Sequence, residues 1–309
     1  MHSKTRWVLA LWLAIGCAWG LGATPAAAKV SVIATYSDLA WVAQQVGGNL
    51  VTVESLCRGN QDPHKIVPRP SQVARMARAK LLVRIGMDLD LWTDGLIVAA
   101  RNSRIARGGA GYVDCSQNIR KLDVPTVKLD PSKGDIHVYG NPHYTLDPVN
   151  LMRAAASIRA GLERVDPKHA ATYQANEKAL DAKLRARLAG WEKEMAPFRG
   201  RGIVLYHEQW IYFLTRFGLK RFAEVEPKPG LEPTAGHVAF VAGQMKAKGV
   251  KVILTASYKP RKFSQLLARQ AGGAVVSVPG AVGGEKGVDD YFTLMDTIIA
   301  RLSAALKQG

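Results

Sequence analysis

Short apolar, β-branched runs alternate along this chain with stretches whose apolar residues recur at helical spacing. Lys29 to Thr35 and Val51 to Leu56 read as strands, and Ser37 to Val46, ending at Gly47-Gly48, reads as a helix between them. Pro70 to Ala79 has Pro in its first turn and reads as a helix, and Lys80 to Ile85 is a short buried strand closed by Gly86. The middle differs. From Pro148 to Val165 and again from Pro167 to Met195 the apolar positions (Leu180, Leu184, Leu188, Trp191, Met195) keep helical period, and Asp147 and Asp166 each precede a helix-opening proline. The second of these helices would span about 42 Å at 1.5 Å per residue, long enough to act as a spine between lobes. The strand and helix pattern then returns: Gly202 to Tyr206, Lys251 to Thr255 and Ala274 to Val278 as strands, with Gln209 to Phe217, Pro260 to Gln270 and Asp289 to Leu306 as helices. The predicted fold class is α/β, two lobes, each a mainly parallel sheet flanked by helices. The expected divisions are 1–28, a lobe over 29–147, linking helices over 148–196 and a second lobe over 197–309.

Residues 1–28 change the picture of where the chain works. His2, Lys4 and Arg6 form a positive start, Trp7 to Ala23 is apolar but broken by glycines, and Ala26-Ala27-Ala28 offers small residues for cleavage before Lys29. That is the pattern of a secretory signal peptide and predicts a cleaved periplasmic protein. Ala14-Ile15-Gly16-Cys17 loosely resembles a lipobox, but the alanine triplet favours the soluble form over a lipoprotein anchored at Cys17. The formal charge of +17 invites a nucleic-acid reading. Export, basic residues scattered over many segments, and the lack of any nucleic-acid-binding signature argue against it. Cys57 and Cys115, an even pair in an oxidising compartment, predict a disulfide within the first half.

The candidate chemistry lies in three histidines, each just past an apolar run: His64 in Asp62-Pro63-His64, His143 in Asn141-Pro142-His143 and His207 in Leu205-Tyr206-His207. They are 79 and 64 residues apart, so no zinc-finger spacing joins them. In an open α/β sheet ligands gather beyond the carboxyl ends of strands, and His64 and His207 fall there, one in each lobe. Three imidazoles and one further ligand suit tetrahedral Zn²⁺.

Several ordered segments make the resemblance specific. Asp62-Pro63-His64-Lys65-Ile66-Val67-Pro68-Arg69-Pro70-Ser71, Asn141-Pro142-His143-Tyr144-Thr145-Leu146-Asp147-Pro148, Tyr206-His207 with Tyr212-Phe213 and Phe217-Gly218-Leu219, and Glu232-Pro233-Thr234 follow one another along the mature chain. Together they resemble the cluster A-I solute-binding proteins, the zinc and manganese receptors of bacterial ABC importers. The resemblance implies two lobes joined by a long rigid helix, small lobe motions, and a metal held between the lobes by His64, His143 and His207. It implies Zn²⁺ as transported ligand, an ABC permease and its ATPase as partners, a periplasmic zinc donor as a further one, and a monomer. Manganese receptors of the group tend to replace the third histidine with a carboxylate, so His207 favours zinc.

The fourth ligand does not carry over. The family's Glu position is Ala256 here and its Asp position is Gly280. Asp290 is the expected ligand, with Asp289, Glu285 and a water as the alternatives, and helix capping as the rival role for the two aspartates. His137, in the loop from Lys133 to Gly140, stands where such receptors carry a histidine-rich loop; it is expected to face solvent, with a transient metal ligand as the alternative. His207-Glu208 begins like a zincin motif, but Ile211 occupies the second histidine's place, so a zinc hydrolase is disfavoured. A periplasmic zinc metallochaperone would look the same in sequence. Neutral imidazoles are required for binding, so metal affinity is expected to fall below about pH 6.5, the unperturbed histidine pKa.

Overall fold

The computed structural model describes residues 29–126, 134–135 and 137–308; the signal segment and Cys17 lie outside them. Two four-stranded parallel sheets carry the architecture. In the first, β1 (Val30–Ala34), β2 (Val51–Ser55), β3 (Leu81–Arg84) and β4 (Tyr112–Asp114) run in the order β2-β1-β3-β4. In the second, β5 (Gly202–Leu205), β6 (Lys220–Glu224), β7 (Val252–Ala256) and β8 (Ala274–Val278) run in the order β6-β5-β7-β8. Each order reverses direction after its first pair of strands, which opens a crevice at the strands' carboxyl ends.

Helices cover both faces of each sheet, as the near-continuous apolar strands require. α1 (Ser37–Gly47), α2 (Pro70–Arg78), α3 (Asp94–Ala100) and α4 (Pro148–Val165) serve the first lobe. α6 (Ile211–Phe217), α7 (Ala235–Lys248), α8 (Arg261–Ala271) and α9 (Tyr291–Gln308) serve the second. β1 shows why two layers are needed: Val30, Val32 and Ala34 enter the main core, while Ile33 enters the outer cluster with Met76, Leu96 and Ile105. The main core runs unbroken through both lobes, from Val30 to Leu306.

α5 (Ala170–Met195) is the spine, about 39 Å long at 1.5 Å per residue. Its buried stripe of Tyr173, Leu180, Leu184, Leu188, Trp191 and Met195 follows the period read from sequence. It contacts α1 and α4 near one end and α9 near the other. Asn176 Nδ2 donates to Val46 O at 3.0 Å, and Trp191 Nε1 donates to Asp296 Oδ1 at 2.7 Å. α4 packs on α1, β3 and β4, so the crossing between lobes falls to α5.

Other contacts tie the lobes directly. Arg216 Nε donates to Asp147 Oδ1 at 2.8 Å, Tyr291 Oη to Thr145 O at 2.6 Å, and Val282 N to Asp38 Oδ1 at 2.8 Å. The approach at Gly59 is so close that a Cβ there would stand 2.0 Å from Val282 O.

The expected disulfide is absent. Cys57 and Cys115 are both buried free thiols. Cys57 follows β2 and Cys115 follows β4, the two opposite edges of the sheet. Three strand spacings of about 4.8 Å put those edges some 14 Å apart, twice the Cα separation a disulfide can bridge. Burial pushes the Cys57 thiol up to about 12, so it stays protonated and inert.

Candidate metal centre

Side chains from the carboxyl ends of both sheets meet in the crevice between them. His64 sits in a single 3₁₀ turn, Pro63–Lys65, that Asp62 caps by accepting from His64 N at 3.1 Å. The same carboxylate oxygen, Asp62 Oδ1, lies 3.0 Å from His64 Nδ1. His207 follows β5 by two residues, and its Nδ1 lies 2.8 Å from Glu226 Oε2, two residues beyond β6. His143 precedes the 3₁₀ turn Tyr144–Leu146, with its backbone N held by Asn141 Oδ1 at 3.0 Å.

These three rings converge as the sequence predicts. The His64 ring centroid lies 5.1 Å from that of His143 and 5.1 Å from that of His207, and His143 and His207 are 5.4 Å apart.

His137 stands beside these rings, its centroid 5.2 Å from that of His64 and 6.1 Å from that of His143. His137 is 8 % exposed rather than open to solvent, and its Nε2 lies 3.1 Å from His64 Nε2. One ligand nitrogen each from His64, His137 and His143 fall within 4.8 Å of one another. His207 and Asp290 both stand outside that group of three, and Asp290 caps α9: Oδ1 accepts from Thr293 N at 2.8 Å and Oδ2 from Thr293 Oγ1 at 3.1 Å. Glu285 is engaged by Arg301 at 2.7 Å, and Asp289 is exposed.

A strained turn aims His137. Asp88 accepts from His137 Nδ1 and, at 2.8 Å, from Val138 N. Met87 and Asp88 both sit at positive φ, 47° and 61°, a conformation costing about 1 kcal/mol or more for a residue with a Cβ. Asp90 holds the turn from beneath, accepting from Ile85 N at 3.0 Å and from the Arg84 guanidinium at 2.9 Å. Gly86 must be glycine: its φ is 76° and a Cβ would meet Asp114 Oδ1 at 2.2 Å. Strain of this kind, buried and pinned, is found where function needs an exact direction.

Three of the four rings thus have a carboxylate behind Nδ1: Asp62 for His64, Asp88 for His137 and Glu226 for His207. A carboxylate at Nδ1 accepts a hydrogen bond from the ring N–H there, which favours the tautomer whose lone pair sits on Nε2. Burial opposes ionisation of Asp62 and Glu226, yet the histidine hydrogen bonds and the Lys259 ammonium hold both below the usual carboxylate range. Lys259, 6 % exposed, reaches Asp62 Oδ2 at 3.0 Å and Glu226 Oε1 at 3.4 Å.

Burial also keeps His143 and His207 neutral. It pushes His207 down to about 4, with the Glu226 hydrogen bond partly opposing it. It pushes His143 well below its ordinary value, helped by His64, His207, His137 and Lys259. The onset expected from an unperturbed ring at about pH 6.5 therefore shifts downward for these two.

Two inward lone pairs 3.1 Å apart repel unless a proton or a cation lies between them. A tetrahedral sphere with Zn–N near 2.0–2.1 Å has an edge of about 3.3 Å, close to that spacing. Nε2 of His143 and Nε2 of His207 are buried with no hydrogen-bond partner among the described residues. Orphaned buried acceptors are costly, and a metal ion is a partner that His64, His137 and His143 could share, with His207 beside them but outside that group of three.

Glu208, the second residue of the failed zincin motif, is turned away from metal chemistry. It lies near Glu224 and Asp123, and burial with those charges pushes it up to about 7. Its carbonyl accepts from Asn141 Nδ2 at 3.0 Å, which steadies the His143 segment.

Known proteins share this architecture. A crystal structure of ZnuA superposes with a TM-score of 0.75 at 22% identity, covering 90% of this chain and 99% of that one. The solute-binding protein FpvC of Pseudomonas aeruginosa, in complex with Mn²⁺, superposes with a TM-score of 0.77 at 22% identity, covering 91% and 99%. At that identity the likeness speaks for the fold. Among curated relatives, the iron-binding protein YfeA of Yersinia pestis is 26% identical over 294 residues, 91% of this chain and 88% of that protein. The high-affinity zinc uptake system protein ZnuA of Paracoccus denitrificans is 24% identical over 289 residues, 82% and 85%. Residues 32–305 match the family model of ZnuA, the periplasmic component A of the zinc-uptake complex. The chain belongs to that family, whose members are solute-binding proteins rather than enzymes.

Proposed function

We propose that this protein is a periplasmic receptor that captures one Zn²⁺ between its lobes through His64, His137, His143 and His207. It then delivers the ion to an ABC permease and its ATPase. The observation that carries the reading is the pair of inward-facing Nε2 atoms of His64 and His137, 3.1 Å apart, beside two orphaned Nε2 atoms of His143 and His207. An all-imidazole set favours zinc over manganese, which takes carboxylate and water more readily. Four imidazoles also close the coordination sphere, leaving no open position of the kind catalytic zinc keeps for water. Export by a cleaved signal over residues 1–28 and action as a monomer belong to the same reading.

The test is elemental analysis of the mature protein, stripped by chelator and reloaded from equimolar zinc and manganese. One zinc per chain is expected, with retention weakened by His137→Ala. Preferential retention of manganese, or zinc binding indifferent to His137→Ala, would overturn the four-histidine zinc site.

A further inference from the structure

Lys259 is a buried ammonium that touches none of the four imidazoles yet is joined to two of them. From His64 Nδ1 the path runs 3.0 Å to Asp62 Oδ1, and from Asp62 Oδ2 another 3.0 Å to Lys259 Nζ. From Nζ it runs 3.4 Å to Glu226 Oε1, and from Glu226 Oε2 another 2.8 Å to His207 Nδ1. Each carboxylate spends one oxygen on a ligand ring and the other on the same ammonium. The path crosses from the first lobe to the second, because Asp62 follows β2 whereas Glu226 and Lys259 follow β6 and β7.

We propose that Lys259 is a cationic counterweight that weakens the site's hold on its divalent ion and so sets how readily that ion leaves. The proposal rests on the four-histidine reading above.

Two physical effects act in one direction. A carboxylate behind a ligand imidazole makes the ring a stronger donor, and an ammonium on that carboxylate withdraws part of the gain. A buried cation also repels a dication nearby in a medium that screens poorly. Three carboxylates behind the rings, Asp62, Asp88 and Glu226, and the ammonium of Lys259 sum to a charge of −2 among these described residues, which one divalent ion balances. Without Lys259 the surplus would be −3, a deeper well for a cation and a poorer metal-free fold. The lysine stem is fixed for this task, with Nζ 5.9 Å from the ring centroids of both Tyr206 and Tyr258. A receptor that must surrender its cargo gains from such a device, since affinity without release would trap the ion.

The experiment compares the full mature chain with Lys259→Met, Lys259→Gln and Lys259→Arg. Zinc affinity is read by competition with a chromophoric chelator, zinc release by stopped-flow into excess chelator, and metal-free melting by calorimetry. Both neutral variants should release zinc about tenfold more slowly or slower still, while melting earlier without metal. Lys259→Arg should stay close to the parent. Glutamine keeps a neutral N–H donor on a side chain one bond shorter, so it carries the test if the methionine variant does not fold. A merely structural lysine would give the opposite sign, with faster release and weaker binding, and that result overturns the proposal. Unchanged release in Lys259→Gln overturns it too, as does Lys259→Arg behaving like the neutral variants. If the parent protein itself holds no zinc, the four-histidine reading falls with it, an outcome recognisable before any variant is measured.

Discussion

The two lobes bring their side chains to the crevice in different ways. In the second lobe His207 lies two residues past β5, Glu226 two past β6 and Lys259 three past β7. Each lies within three residues of a strand end of the second sheet. In the first lobe His64 comes nine residues after β2, and His137 and His143 come more than twenty after β4. Only local devices fix these: the Asp62 cap, the positive-φ turn at Met87 and Asp88, and the Asn141 contact to His143 N. Exposed apolar residues flank them, Val67 at 78 % and Tyr139 at 56 %. The second lobe is thus a preformed wall and the first a jaw built of loops. Because the main core is continuous through both lobes, any adjustment on metal binding falls to those loops rather than to the lobes as bodies.

The largest expected effect separates wall from jaw. Removing the charge behind a ligand ring typically costs 10–100-fold in metal affinity. Glu226→Gln, on the wall, should lie near the upper end, about 100-fold, because Glu226 is 6 % exposed and orients His207 and anchors Lys259 at once. Asp88→Asn, on the jaw, should cost about tenfold, since asparagine tolerates the left-handed φ of 61° and can still accept from His137 Nδ1. Equal losses measured by chelator competition would erase the distinction between the lobes.

Much of this was legible in the residues, for physical reasons that can be named. β1, β3, β5 and β7 are buried on both faces, so they read as unbroken apolar runs, and the stripe of α5 keeps strict helical period. His64, His143 and His207 were found because short motifs surround them. The signal failed where structure comes from neighbours rather than from local pattern. β4 is three residues long, and the edge strand β6 reads Lys-Arg-Phe-Ala-Glu, with too little apolar content to stand out. Missing β6 meant missing Glu226 just beyond it. Asp88 and Lys259 follow buried strands, as the carboxyl-end rule allows, but nothing local says that one faces His137 and the other Asp62. His137 looked like a loop residue because burial at 8 % is imposed by the tertiary fold, and the turn that receives it lies 49 residues upstream.

A smaller effect tests whether the wall is dry. The folded, metal-free protein keeps His207 neutral down to about 4 because the ring is buried, whereas an unfolded histidine titrates near 6.5. Between those values the unfolded chain binds the extra proton, so folding stability is fully present above about pH 6.5 and falls as pH drops towards 4. His143 shifts the same way and adds to the loss. At 1.36 kcal/mol per pH unit, His207 alone should cost about 2 kcal/mol between pH 7 and pH 5. Calorimetry of the metal-free protein at those two pH values checks it. A melting temperature that holds steady would mean that water reaches the ring and that the wall is less sealed than its burial indicates.

The smallest effect concerns Asp290, which the proposed four-histidine site leaves out. Asp290 sits in the last loop of the second lobe, where its carboxylate closes the first turn of α9 on Thr293 N and Oγ1. Losing such a cap typically costs about 1 kcal/mol, so Asp290→Ala should melt a few degrees early with or without zinc. Its zinc affinity should match the parent's, because both carboxylate oxygens are engaged on the helix and the proposed site draws on four imidazoles without it. The experiment therefore separates fold from binding in one variant: a calorimetric shift with an unchanged competition titration. A loss of zinc affinity comparable to that of Glu226→Gln would mean that Asp290 leaves its helix to join the ion. The wall would then need a moving part, and the division between a fixed second lobe and an adjustable first lobe would no longer hold.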